Sequence, residues 1–305
     1  MEKYSLGSIK RDSIRRVFAA LRKKELISRL EISQEIGLSL MTVGKIADAL
    51  ADKGVIIQQK GATGTVGRKA SYISLDRTNF ALVLDLSEKM PSFAIVNICG
   101  EVLYTESFDT SASADGSTAL RVFFERAKTY SDMNYLLDPC MGVGVVVDAG
   151  FDEAVGKVTV NGEKVSLEKH FLSVFKKDPA VIHKSVRAKA AARIAGERSA
   201  VFFELCGKSA SGAYSLDGEM CDIDGAVTGE YSDSIAAICA FLSPGKAVLD
   251  GDGPICEDIK KKFSKKCKKT EVTVIDNTVG DKASSKYVGC AALICDEYIN
   301  ITKRL

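Results

Sequence analysis

The sequence predicts an α/β protein in two parts: a small basic head of helices closed by a β-hairpin, and a larger body in which strands alternate with helices. Three observations predict it. Residues 1–79 hold fifteen Lys or Arg against eight Asp or Glu, whereas the rest hold 27 against 32. The hydrophobic period changes from helical to strand-like near residue 55. Beyond residue 79, apolar runs and amphipathic stretches alternate almost to the end, as α/β layers do. The length of 305 residues suits two domains, expected at 1–78 and 79–305. With 46% hydrophobic and 27% charged residues, the composition excludes a disordered, collagen-like or coiled-coil chain.

The head is built in order. Residues 9–26 place Ile9, Ile14, Val17, Phe18, Leu21 and Leu26 at roughly helical spacing, opposite a basic face. Ser28, with Glu31 three residues on, forms a capping box for a second helix carrying Leu30, Ile32 and Ile36. Gly37 stops it, because a left-handed step is cheap only for glycine. Ser39 caps a third helix with Val43, Ile46, Ala47 and Leu50 on one face, and Gly54 ends it. Residues 55–60 and 70–75 are β-rich and flank a Gly-rich basic tip at 61–69, which reads as a hairpin. The sum is a winged helix-turn-helix.

A basic module of this form suits a polyanion. Double-stranded DNA is the expected partner. The third helix enters the major groove with Ser39, Met41, Thr42 and Lys45 toward bases and phosphates, and Thr65, Arg68 and Lys69 of the wing reach the backbone or minor groove. A protein-binding winged helix, or chance clustering of charge on a solvated surface, is the alternative use of the same residues.

Arg16-Val17-Phe18, the run from Ser28 to Ile32, Gly37-Leu38-Ser39, Thr42-Val43, Leu50, Gly54 and Gly67-Arg68 resemble the head of ROK-family (repressor, ORF, kinase) regulators. Residues 80–86 and 93–103, two apolar runs with a turn at Cys99-Gly100-Glu101, resemble the opening hairpin of the family's two-lobed, actin-like (ribonuclease H-like) sugar-kinase fold. The resemblance implies a regulator of sugar-related genes, acting as a repressor, as a homodimer or dimer of dimers on a pseudo-palindromic operator. It also implies a small-molecule sugar effector.

Within the body, helices are expected at 117–129, 185–198, 230–242, 254–269 and 283–302. Strands are expected at 141–147, 180–182, 201–205, 212–216, 247–249 and 271–275. The seven lysines at 260, 261, 262, 265, 266, 268 and 269 read as a solvated helix face anchored by Phe263, with anion contact as the alternative.

The kinase chemistry that the resemblance would imply looks dismantled. The family's Asn-Asp pair, whose Asp is the base, aligns with Lys184 and Ser185, and no Asp or Glu lies between Asp178 and Glu197. The first phosphate loop after Asp85 reads Leu86-Ser87-Glu88-Lys89-Met90-Pro91, with no glycine and with Glu88 set to repel phosphate. The run Gly207-Lys208-Ser209 lacks the Gly a P-loop needs five residues earlier, where Phe202 stands, and reads as a hairpin turn. The Glu-x-Gly-His segment and Cys-rich zinc loop of the family have no counterpart. A kinase-dead body is expected, with Asp85, Asp148, Lys184 and Ser185 as the remaining effector-binding candidates. A divergent sugar or acyl kinase with an appended basic domain is the competing reading.

No catalytic residue, metal or cofactor is expected. His170 and His183 are the only histidines, and the nine cysteines include no C-x-x-C pair. A cytoplasmic chain with mostly buried thiols, no signal peptide and no membrane span is expected.

Overall fold

The computed structural model describes residues 6–60, 71–135, 137–148, 151–206, 209–217, 219–228, 231–251, 253–266, 269–276 and 282–300. The head opens with α1 (Leu6–Lys23), a two-residue strand β1 (Ile27–Ser28), α2 (Arg29–Ile36), α3 (Leu40–Asp52) and the wing strands β2 (Ile56–Lys60) and β3 (Ser71–Leu75). The capping box is formed as the sequence predicts. Ser28 Oγ accepts from Glu31 N at 3.2 Å, and Glu31 Oε2 accepts from Ser28 N at 2.8 Å. Gly37 sits at φ 66°, and its N–H donates to Ser33 O. Leu26 is not part of the first helix: α1 ends at Lys23, and Leu26 is exposed in the turn before β1. The short β1 pairs antiparallel with β3 and completes a three-stranded sheet in the order β1-β3-β2.

The body is one topology used twice. Its first half runs β4 (Phe80–Asp85), β5 (Ser92–Asn97), β6 (Val102–Ser107), α4 (Gly116–Asn134), β7 (Cys140–Val147), β8 (Lys157–Val160), β9 (Glu163–Ser166), α5 (Leu167–Phe175), β10 (Val181–Lys184) and α6 (Ser185–Ile194). The second half runs β11 (Ser199–Cys206), β12 (Ser209–Leu216), β13 (Glu219–Thr228), α7 (Tyr231–Leu242), β14 (Lys246–Gly251), α8 (Gly253–Lys266), β15 (Glu271–Asp276) and α9 (Lys282–Ile299). The first sheet is ordered β10-β7-β4-β5-β6 and the second β13-β12-β11-β14-β15. In each, a three-strand antiparallel meander is extended by two parallel strands reached through helical crossovers.

Both faces of each sheet are covered, so the central strands are apolar throughout rather than alternating. In β4, Ala81 and Val83 face α9, while Phe80, Leu82 and Leu84 join a cluster with Phe123 and Phe124 of α4 and Phe171 of α5. Phe263 is fully buried under the second sheet, as the lysine-rich helix requires. The halves exchange their last helices: α6 packs on β11, β12 and β13, and α9 packs on β7, β4 and β5. The two helices cross so closely that a Cβ on Gly289 would lie 1.7 Å from Ala188 O.

The hairpin β8–β9, the helix α5 and the strand β13 were not expected. Of the eight cysteines described, only four are buried, and Cys140 and Cys206 are exposed. No helix among the described residues is long and apolar enough to cross a membrane.

Candidate nucleic-acid interface

Helix α3 is held from behind by its apolar residues Val43, Ile46, Ala47 and Leu50, all buried. That packing leaves its first turn outside. Met41 is 73% exposed, Ser39, Leu40 and Lys45 are exposed, and Thr42 is half-buried. The Ser39 hydroxyl caps the helix by accepting from Thr42 N at 3.1 Å, and it lies 2.8 Å from Thr42 Oγ1. One hydroxyl proton therefore satisfies the other oxygen, which leaves the pair a single outward donor. Thr65, Arg68 and Lys69 lie outside the described residues.

Arg29 braces α3 and Arg16 braces α2, roles that the sequence reading did not assign. Arg29 of α2 pairs with Asp48 at 2.5 Å, cancelling the one carboxylate that stands exposed three residues beyond Lys45. Arg16 of α1 donates to Ile36 O and satisfies the carbonyl end of α2.

The charge of the head is distributed differently from the expectation that it faces a polyanion. Arg11 and Arg15 pair with Asp296 of α9 at 2.9 and 2.6 Å. Arg22 donates to Ile98 O at 2.8 Å, and Lys53 donates to Tyr298 O. Arg77 pairs with Glu101, and Lys23 with Glu35. Much of the basic excess is thus docking charge, directed at the body or neutralised within the head. Lys45 makes no ion pair among the described residues.

The body presents a second arrangement. Register aligns Asp85 with Val146 and Lys184 with Val147, so Asp85, Asp148, Lys184 and Ser185 all stand at the carboxyl ends of the adjacent parallel strands β4, β7 and β10. Ligands of open α/β sheets bind at that edge. Asp85 is only 1% exposed and is engaged by Lys286 Nζ of α9 at 2.7 Å, and Ser87 Oγ donates to it at 2.6 Å. Glu88 Oε1 also meets Lys286, at 3.0 Å, so its charge is answered and does not simply oppose a phosphate, contrary to the expectation. Burial pulls the Lys286 ammonium down, but Asp85 and Glu88 outweigh it and hold it above its ordinary value. Cys206 pairs with Ser209 across residues 207 and 208, which are themselves outside the described set. Among the described residues, no three His, Cys, Asp or Glu side chains gather as metal donors.

Residues 10–57 match the winged helix-turn-helix DNA-binding family model. The head is a winged helix-turn-helix. The whole chain superposes on a crystal structure of a ROK-family transcriptional regulator, a homologue of the E. coli MLC protein, with a TM-score of 0.68 and 15% identity over 97% of this chain and 98% of that one. A protein assigned as a sugar kinase, from Cytophaga hutchinsonii, matches 70% of this chain and 99% of its own length, with a TM-score of 0.51 and 12% identity. No curated protein matches the chain in sequence. The chain therefore has the fold of ROK regulators, head and body together, and the sugar-kinase likeness covers less of it.

Proposed function

We propose that the chain is a sequence-specific DNA-binding transcriptional regulator whose body no longer phosphorylates sugar. The observation that carries the reading is the start of α3, where Leu40, Met41 and Lys45 are exposed and Asp48 is paired with Arg29, on a winged helix-turn-helix scaffold. Ser39, Met41, Thr42 and Lys45 contact the major groove, and Thr65, Arg68 and Lys69 the flank. The regulator acts as a repressor of sugar-related genes. A homodimer, or a dimer of dimers, presents two heads to a pseudo-palindromic operator, since two-fold symmetry in the protein is mirrored in its site. The DNA-binding head, 1–78, and the body, 79–305, are the working units.

Loss of kinase chemistry is supported by the strand edge. Lys184 and Ser185 stand where a base is needed, no carboxylate lies between Asp178 and Glu197, and Asp85 is held by Lys286. A sugar effector at Asp85, Asp148, Lys184 and Ser185 remains compatible with that edge. Selection of duplexes from a random pool by the purified protein tests the reading: a motif of two half-sites is expected, and a pool without enrichment refutes it. Transfer of phosphate from ATP to a hexose would favour the kinase reading instead.

A further inference from the structure

A cavity of about 690 Å³ lies at the seam where α1 of the head meets β10, α6 and α9 of the body. Its volume falls in the range of small-molecule sites. The apolar wall comes from Phe18, Val181, Met220, Leu293 and Ile299. Four arginines and His183 also line it. Arg11 and Arg15 are matched by Asp296 and Glu297. Arg22 and Arg187 meet no carboxylate among the described residues: Arg22 donates to Ile98 O and lies over the Phe18 ring, and Arg187 donates to Met220 O. The Nε of Arg187 is buried with no acceptor. A buried guanidinium N–H left unpaired is costly, and each guanidinium has five N–H groups to offer. Glu219 stands exposed at the rim, and burial together with the Arg187 charge keeps His183 neutral.

We propose that this seam is a ligand site for a small organic anion with an apolar body, its carboxylate, phosphate or sulfonate group paired with Arg187 and Arg22. Such a ligand touches head and body at once and fixes one against the other. The effect on DNA rests on the reading of the head as a DNA reader; the site itself does not.

The probe is 8-anilinonaphthalene-1-sulfonate, an aromatic sulfonate, titrated by fluorescence into the full chain. One saturable site per chain is expected. Arg187→Gln weakens it at least tenfold, and the uncharged analogue N-phenyl-1-naphthylamine binds at least tenfold more weakly. Ala19→Leu, at an exposed helical position on the cavity wall, also weakens it with an unchanged melting temperature. Equal binding of the uncharged analogue, or full affinity in both variants, overturns the site. At saturation the probe shifts DNA affinity at least threefold in the wild type and not in Arg187→Gln; an unshifted affinity overturns the coupling. A protein that binds no DNA even without the probe refutes the regulator reading instead, and the fluorescence titration still decides the site.

Discussion

Gly289→Ala tests the junction on which the two halves of the body depend. The new methyl would lie 1.7 Å from Ala188 O, 2.7 Å from Ala188 C and 2.9 Å from Ala192 N. A carbon approaches a carbonyl oxygen to about 3.3 Å at best. The helices α6 and α9 must therefore part by well over 1 Å, and a gap of about 0.5–1 Å already forfeits a quarter to a half of each contact's attraction. Overpacking of this kind costs about 1–3 kcal/mol, and more where backbone is the obstacle, as here. The better helix propensity of alanine returns about 1 kcal/mol at most. With the cost at the upper end of that range, about 3 kcal/mol, the net loss is about 2 kcal/mol, or about 4–8 °C in melting temperature at the roughly 2–4 °C per kcal/mol of larger domains. Because α9 also carries Asp296 and Ile299 to the head, loosening should reach the seam. Thermal unfolding by circular dichroism reads the result. An unchanged or raised melting temperature would show that the helices do not touch at this point, and the packing argument would fail.

Three further outcomes are expected. Lys286→Met leaves Asp85 buried with only the Ser87 donors, and should cost about 3 kcal/mol, the low end for a broken buried pair; the double variant Lys286→Met, Asp85→Leu should recover much of it in urea unfolding. Burial, with help from the Arg187 charge, lowers His183 to about 4, so the unfolded chain takes up a proton that the folded chain refuses: stability is present above pH 6.5 and is lost as pH falls toward 4, at about 1.4 kcal/mol per pH unit, and His183→Phe should flatten that window in urea titrations at pH 7 and 4.5. Asp296 acts lower on the scale. Burial raises its carboxyl, but Arg15 and Arg11 outweigh burial and hold it below 3.8, so its contribution is present above about pH 4 and is lost only below that; Asp296→Asn should remove this acid step in the same titration and leave the His183 window intact.

The head was legible because its signals are local. A capping box, a glycine at positive φ and a four-residue apolar stripe are each settled within one or two turns of chain, and Ser28, Gly37 and the Val43–Leu50 face all behave as read. The strand β13 was not, because Asp222, Asp224 and Gly225 disfavour a strand; Asp222 pairs with Ala213 of β12 all the same, and Asp224 and Gly225 fall where the register shifts between Ile223 and Val227. The hairpin β8–β9 carries a readable turn, Asn161-Gly162, both at positive φ, but its strands are short and polar. The destination of the head's charge could not be read. Arg11 and Arg15 find Asp296 more than 280 residues away, and no local pattern separates a docking arginine from a phosphate-binding one. At the strand edge, the sequence flagged Asp85 but not Lys286, whose pairing is equally remote.

That division of charge gives the most direct test of the central claim, that α3 reads DNA. Fluorescence anisotropy of a selected duplex is measured across a salt series for the wild type, Lys45→Ala and Arg15→Gln. Affinity should fall steeply with salt. Lys45→Ala should bind at least about fivefold more weakly, with a slope shallower by about one if the amine meets a phosphate. Arg15→Gln should keep the wild-type slope, because its charge faces Asp296. Binding that does not depend on sequence, or that Lys45→Ala leaves untouched, would contradict the account.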